Sequence, residues 1–201
     1  MIVGVSRWFR SYGFADVFDE LFVGAYPLDE DDVGALSRVG VRRVLNLAED
    51  EEYRPGDRRA VERALSAAGI EERRLRLTDY GGLPSSTLEA AVQEVNAWLD
   101  EGAPTYVHCR AGWQRSAAVA AGVVAVRTGR DIDAALDYVQ RRKPSADPLP
   151  HQREDLRRWW VSRGGRDANP RAAADANPRA TTDDDHRGAD DAGIAPSRPV
   201  D

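Results

Sequence analysis

The stretch Tyr106–Ser116, YVHCRAGWQRS, decides how the rest of the chain is read. Thr105 to His108 suits a short buried strand, Gly112 interrupts, and Ser116 to Arg127, SAAVAAGVVAVR, reads as a helix of small and aliphatic residues ended by Gly129. A strand that passes through a short loop into a helix is a building unit of α/β sheets, and ligands of open α/β sheets bind at the carboxyl ends of the strands. In that loop stands Cys109, the one cysteine of 201 residues.

Outward from this unit, short apolar runs alternate with helical periods. Leu21–Gly24, Val41–Leu47 and Arg73–Leu77 read as strands. Asp29–Val39, Asp57–Ala68, Ile132–Arg142 and Pro150–Val161 read as helices, the first opened by acidic residues and ended at Gly40. Ser86-Thr87-Leu88-Glu89 is a capping-box pattern that opens a helix to Leu99. The expected fold is α/β, a central, mostly parallel twisted sheet of about 4 to 5 strands flanked by helices. Three parts follow: an N-terminal segment 1–19, a domain over 20–163, and an acidic tail over 164–201. The tail is rich in Asp, Ala, Pro and Arg, has Ile194 and Val200 as its only larger aliphatics, and contains the hexapeptide DANPRA twice. Such a composition buries too little apolar area to offset ordering entropy, so disorder is expected there.

Composition excludes several functions. The net charge of −6, with 5 Arg against 8 Asp in the tail, speaks against a nucleic-acid binder. One cysteine forms no internal disulfide, and His108, His151 and His186 are scattered, so no metal or other cofactor is expected. No run approaches the roughly 18 to 20 apolar residues of a membrane span, and Arg7, Arg10 and Asp16 interrupt any signal peptide; a cytoplasmic, monomeric protein is expected. Basic residues are almost all arginine, with Lys143 the one lysine. Ile2–Phe18 carries Trp8, Phe9, Tyr12, Phe14 and Phe18 among arginines, a pattern that fits either packing on its own domain or contact with a membrane.

The loop itself carries chemistry. Backbone amides of Arg110, Ala111, Gly112, Trp113, Gln114 and Arg115 can turn inward, and the following helix adds the positive end of its dipole, so the loop is a cradle for an anion. Gly112 allows the turn, and Arg115 offers a planar fork for two phosphate oxygens. The same field favours a Cys109 thiolate, which can attack phosphorus in line and form a phosphocysteine. Ser116 is placed to donate a hydrogen bond to the sulfur. C-x5-R alone is weak in a chain with 27 arginines; the flanking His108, Gly112 and Ser116 and the strand–loop–helix setting make it specific. The bland alternative, a buried structural cysteine, would also bury Arg115.

These residues resemble the H-C-x5-R-[S/T] signature of the cysteine-dependent protein tyrosine phosphatases, and most of all the small dual-specificity phosphatases, over about residues 20–160. The resemblance implies Cys109 as nucleophile, Arg115 as phosphate clamp, Ser116 as the hydroxyl that assists thiolate departure, and His108 as a structural residue that tunes the thiolate. It also implies an aspartic acid about thirty residues upstream, in a loop after a strand, that protonates the leaving oxygen. Asp79, in LRLTDYGGLP, stands thirty residues before Cys109, with Gly81, Gly82 and Pro84 marking a loop; the plain alternative is a turn cap.

Glu51-Glu52-Tyr53-Arg54 resembles the EEY loop of the mitochondrial phosphatidylglycerophosphate phosphatase branch, or else is a solvated acidic turn. Gln152 stands where related phosphatases carry a Gln at the start of the last helix, or else is a first-turn polar residue. The expected substrate is a phosphorylated protein, through dual-specificity tyrosine, serine and threonine chemistry, or a small phosphate monoester. A singly phosphorylated lipid head group is the alternative, and an inactive phosphate-binding module is the rival from another class. Between Cys109 and Arg115 only Arg110 is basic, which weakens a polyphosphorylated inositol. A rhodanese-type sulfurtransferase fits less, since it lacks the arginine and serine after the loop.

Overall fold

The computed structural model describes residues 4–165 apart from Asp19. The tail expectation therefore lies, from residue 166 onward, outside the described residues. Five strands, β1 (Phe14–Phe18), β2 (Leu21–Ala25), β3 (Arg43–Asn46), β4 (Glu71–Arg74) and β5 (Thr105–Cys109), form one sheet among the described residues. The order is β1-β2-β5-β3-β4. Only the β1–β2 pair is antiparallel. The helices are α1 (Arg7–Tyr12), α2 (Glu30–Arg38), α3 (Asp57–Ala67), α4 (Ser85–Asp100), α5 (Arg115–Thr128), α6 (Ile132–Arg142) and α7 (Pro150–Ser162), with a 3₁₀ turn at Asp50–Glu52.

Strand alternation sends successive side chains to opposite faces and so makes two cores. Val23, Leu45 and Val107 pack with the buried residues of α4, α5, α6 and α7. Val44 and Tyr106 pack on the other face with Phe9, Val33, Leu36, Val61 and Leu65 from α1, α2 and α3. β5 lies at the centre of the sheet and is buried at every position. α5 is buried from Arg115 to Ala125, as a helix that is apolar on all sides must be. Its many alanines let neighbouring helices approach closely.

The sheet confirms the expected mostly parallel α/β architecture, with differences at its edges. The N-terminal residues expected ahead of the domain contribute α1 and the edge strand β1, and Phe9 sits in the second core. β4 covers Glu71–Arg74, not Arg73–Leu77. It is a polar edge strand, EERR, without the period-2 apolar signal by which strands are recognised. Leu75 and Leu77 still donate backbone N–H groups to the Asn46 and Leu47 carbonyls, so the chain stays beside β3 after the strand ends. The capping box at Ser86–Glu89 does not form. α4 starts two residues earlier than that box would place it, at Ser85 behind Pro84, without a side-chain cap. Glu89 instead accepts from Trp159 Nε1 at 2.7 Å and from Arg163, so a tertiary contact outcompetes the local one.

Candidate active site

The cysteine loop joins the carboxyl end of β5 to α5, at the centre of the sheet. Gly112 is the residue on which its shape depends. Its φ is +75°, and a Cβ there would lie 2.4 Å from the Gly24 carbonyl carbon. Gly24 is equally confined, since a Cβ on it would meet Gly13 O, Phe14 Cβ and the Tyr106 hydroxyl at 2.5 Å. The two glycines therefore let the loop press against the end of β2. Tyr26 N–H donates to the Arg110 carbonyl at 3.1 Å, and Asp147 N–H to the Trp113 carbonyl at 2.7 Å, so carbonyls are tied outward. Among the described residues, no backbone N–H from Arg110 to Gln114 donates to a protein oxygen. Those donors remain available to an anion in the cradle.

Cys109 Sγ lies 3.3 Å from Ser116 Oγ, within hydrogen-bonding reach of sulfur, and both side chains are buried. Arg115 is buried too, its side chain 1% exposed. Nη1 and Nη2 donate to the two oxygens of Glu52 at 2.7 and 2.8 Å, and Nη1 also donates to the Leu77 carbonyl at 2.8 Å. Nη2 lies 2.8 Å from Asp79 Oδ1. Nε is buried without a partner, a donor with capacity left for phosphate. Burial opposes the charge of Arg115, but the Glu52 hydrogen bonds and the charges of Cys109, Glu52 and Asp79 outweigh it and raise its pKa. The guanidinium is thus a fixed cation with a fixed orientation.

Asp79 sits in the loop Thr78–Pro84, which is anchored on both sides. Thr78 Oγ1 and Asp79 N–H donate to the Glu49 carboxylate at 3.0 and 3.1 Å. On the other side Gln152 Nε2 donates to the Gly81 carbonyl at 2.9 Å, His151 Nε2 is 3.1 Å from the same oxygen, and Leu83 N–H donates to Asp155 at 2.7 Å. Tyr80, next to Asp79, takes a left-handed backbone (φ 56°) and is itself 68% exposed at the cleft. His108 is buried on the opposite face of β5 beside Tyr106, with Nδ1 3.3 Å from the Cys109 carbonyl. Burial holds its pKa down to about 3, so the ring is neutral.

A cleft of about 280 Å³ opens over the sulfur, lined by Trp8, Tyr12, Asp79, Tyr80, Cys109, Arg110, Ala111, Trp113, Gln114 and Arg115. The structure thus brings Cys109, Arg115, Asp79, Arg110, Ala111, Trp113 and Gln114 to one cleft, while Gly112 and Ser116 lie beneath it. Gln152 does not line it; the residue is fully buried and pins the Asp79 loop from behind. Glu52 is no solvated turn residue, because its side chain is only 7% exposed and is spent on Arg115 and the Glu49 N–H. Tyr53 packs behind it against Tyr26 and accepts from Asn46 Nδ2 at 2.9 Å, and burial raises its pKa. Trp8, Tyr12 and Tyr80 were not expected in the site, and no local motif marks them. Among the described residues, no group of three or more His, Cys, Asp or Glu is placed to hold a metal, and no helix is long and apolar enough to cross a membrane.

A family described as "Polymorphic toxin system, DSP-PTPase phosphatase" matches residues 25–130. None of the curated proteins matches the chain. Among solved structures, a mouse putative dual specificity phosphatase complexed with zinc tungstate is 26% identical, with 74% of this chain and 87% of that one covered and a TM-score of 0.59. PTPMT1 in complex with PI(5)P is 24% identical, with 74% and 95% covered and a TM-score of 0.65. Human DUSP28 is 24% identical, with 75% and 95% covered and a TM-score of 0.60.

Proposed function

The chain belongs to the DSP-PTPase phosphatases of polymorphic toxin systems, and we propose that it hydrolyses phosphate monoesters through a covalent phosphocysteine on Cys109. The Cys109 thiolate attacks phosphorus opposite the leaving oxygen. The S–P bond forms as the P–O bond breaks, and Asp79 in its acid form gives the departing oxygen its proton. Arg115 and the amides of Arg110 to Arg115 carry the charge of the three equatorial oxygens. In the second step Asp79 takes a proton from the attacking water while Ser116 donates to the sulfur as it leaves as a thiolate.

The observation that supports this reading most is the convergence at one cleft of Cys109, with Ser116 Oγ 3.3 Å from its sulfur, and Asp79, with its carboxylate 2.8 Å from Arg115 Nη2. A module that only held phosphate would have no use for the acid. Asp79 touches the edge of the guanidinium that a phosphate would grip, so binding substrate frees the carboxyl to turn toward the leaving oxygen. We place a phosphorylated protein first as substrate, acted on by the monomeric protein in a reducing cytoplasm, where a lone thiol keeps its reactivity. Arg110 is the only cation added inside the loop, fewer than a polyphosphorylated head group needs.

Hydrolysis of p-nitrophenyl phosphate that persists in chelator and is absent in Cys109→Ser tests the reading. A phosphoryl mass on Cys109 after acid quench identifies the intermediate. Phosphate binding without turnover in the wild type would make the protein a binding module. A panel of phosphopeptides and singly phosphorylated lipids then separates protein from lipid substrates.

A further inference from the structure

The one lysine of the chain is buried. Lys143, directly after α6, is 4% exposed. Its Nζ donates to Ser145 Oγ at 3.0 Å and to the Tyr12 carbonyl at 3.4 Å, and among the described residues it makes no ion pair. An ammonium buried without a carboxylate is costly to a fold. Burial accordingly lowers its pKa, opposed by the charge of Cys109. The carbonyl it reaches belongs to the last residue of α1.

The other end of the same helix rests on a second buried charge. Asp32, in the first turn of α2, is 0% exposed. It accepts from Ser6 N–H at 2.8 Å, Ser6 Oγ at 2.7 Å and Leu28 N–H at 2.9 Å, and among the described residues it has no cationic partner. Ser6 is the N-cap of α1, its Oγ accepting from Phe9 N–H. A helix of six residues does not hold itself in water. Here a carboxylate grips the end rich in N–H groups and an ammonium the end rich in carbonyls, the signs that helix ends favour. Both charges come from the domain against which the helix lies.

Between the two anchors α1 carries Trp8 and Tyr12, which line the catalytic cleft. Tyr12 lies 5.4 Å from Trp113 of the cysteine loop, ring centroid to centroid, and 4.2 Å from Trp8. Trp8 reaches on to Tyr26 at 5.3 Å. The cleft thus has one continuous aromatic side, and most of it belongs to a short helix that precedes the sheet.

We propose that Lys143 and Asp32 are positioning residues: they clamp α1 so that Trp8 and Tyr12 stand as a wall against which a flat aromatic leaving group packs, and so bias the site toward aryl phosphates. This rests on the phosphatase reading above. Neither residue touches substrate; both act through the placement of α1. Loss of one clamp weakens contact with an aromatic leaving group and leaves small alkyl phosphates, which do not reach the wall, unaffected.

The test is steady-state kinetics of the wild type, Lys143→Met, Asp32→Asn and Trp8→Ala on p-nitrophenyl phosphate and on glycerol 2-phosphate. Each variant is expected to raise KM for the aryl ester about tenfold, the scale of an aromatic pair, with little change in kcat and none for the alkyl ester. Lys143→Met added to a variant that carries both Trp8→Ala and Tyr12→Ala is expected to add nothing, because no wall is left to place. Equal effects on the two esters, a fall in kcat alone, or a further effect of Lys143→Met once both wall residues are gone would overturn the clamp. Calorimetry of phenyl phosphate and inorganic phosphate on Cys109→Ser, with and without Lys143→Met or Asp32→Asn, reads the same discrimination without turnover. A wild type that hydrolyses neither ester thus sinks the phosphatase reading alone, whereas unchanged phenyl phosphate affinity sinks the clamp alone. Should one clamp variant fail to fold, the other gives the same readout.

Discussion

Glu52 meets Arg115 with both carboxylate oxygens, at 2.7 and 2.8 Å, across 63 residues of sequence. The pair is buried on both sides, so the guanidinium has no freedom to search for phosphate. It presents Nε, the donor without a protein partner, in one direction only. Glu52 is itself held by the Glu49 N–H, and its loop by Tyr53 packed beneath Tyr26.

Glu52→Gln keeps the shape and removes the charge. It is expected to lower kcat/KM for p-nitrophenyl phosphate about 10²-fold, the usual scale for a misplaced binding group. Stability should drop by about 1 to 3 kcal/mol, because a buried cation loses half of its compensation. Kinetics and thermal unfolding of the variant check both.

Asp79→Asn is expected to separate binding from turnover. Turnover should fall roughly 10² to 10⁴-fold, while phosphate or vanadate affinity holds or improves, because the variant removes a carboxylate that competes for Arg115 Nη2. Unchanged turnover would remove Asp79 from the reaction.

Gly112→Ala should abolish activity and cost at least about 2 kcal/mol of stability. The new methyl would meet the Gly24 backbone at 2.4 Å on a left-handed φ, and backbone does not yield as a flexible side chain does. Loss of vanadate binding together with a lower Tm is the expected signature.

His108 gives the fold a pH dependence. Its pKa falls from 6.5 to about 3 on burial, so between these values the unfolded chain binds the proton that the folded one refuses. Its contribution to stability is therefore complete above pH 6.5 and is lost as the pH falls. From pH 7 to pH 5 the loss reaches about 2 kcal/mol. Denaturant unfolding of the wild type and His108→Asn at both pH values checks this, since the difference between the two pH values should shrink in the variant.

The cysteine loop was legible because its chemistry is contiguous: strand, turn glycine, arginine and serine follow one another within eleven residues. α6 was legible at both ends, since it spans Ile132–Arg142 as its sequence suggests; Asp131 caps it, the side chain accepting from Ala134 N–H at 2.9 Å. β4 was misplaced because an edge strand of Glu and Arg has no buried face to pattern it. Ser86–Glu89 failed as a cap because Trp159 and Arg163 claim Glu89, which no local window contains. Glu52 drew notice by its motif, but its bond to Arg115 exists only once β3 and β5 lie side by side. Trp8 and Tyr12 were legible as part of an aromatic N-terminal segment but not as cleft residues, as their place depends on anchors at Asp32 and Lys143.

The anchoring of Thr78–Pro84 to Glu49 on one side and to Gln152, His151 and Asp155 on the other has a consequence in time rather than in space. Enzymes whose acid rides on a swinging lid wait, in each cycle, for closure on the microsecond to millisecond scale. Here the loop that carries the acid is already in place before substrate arrives, so each encounter asks for a turn of the Asp79 side chain and for no movement of its backbone. Solvent viscosity should then leave kcat untouched by any gating step, and Gln152→Ala, by removing the hydrogen bond to the Gly81 carbonyl, should introduce the wait that the native loop avoids.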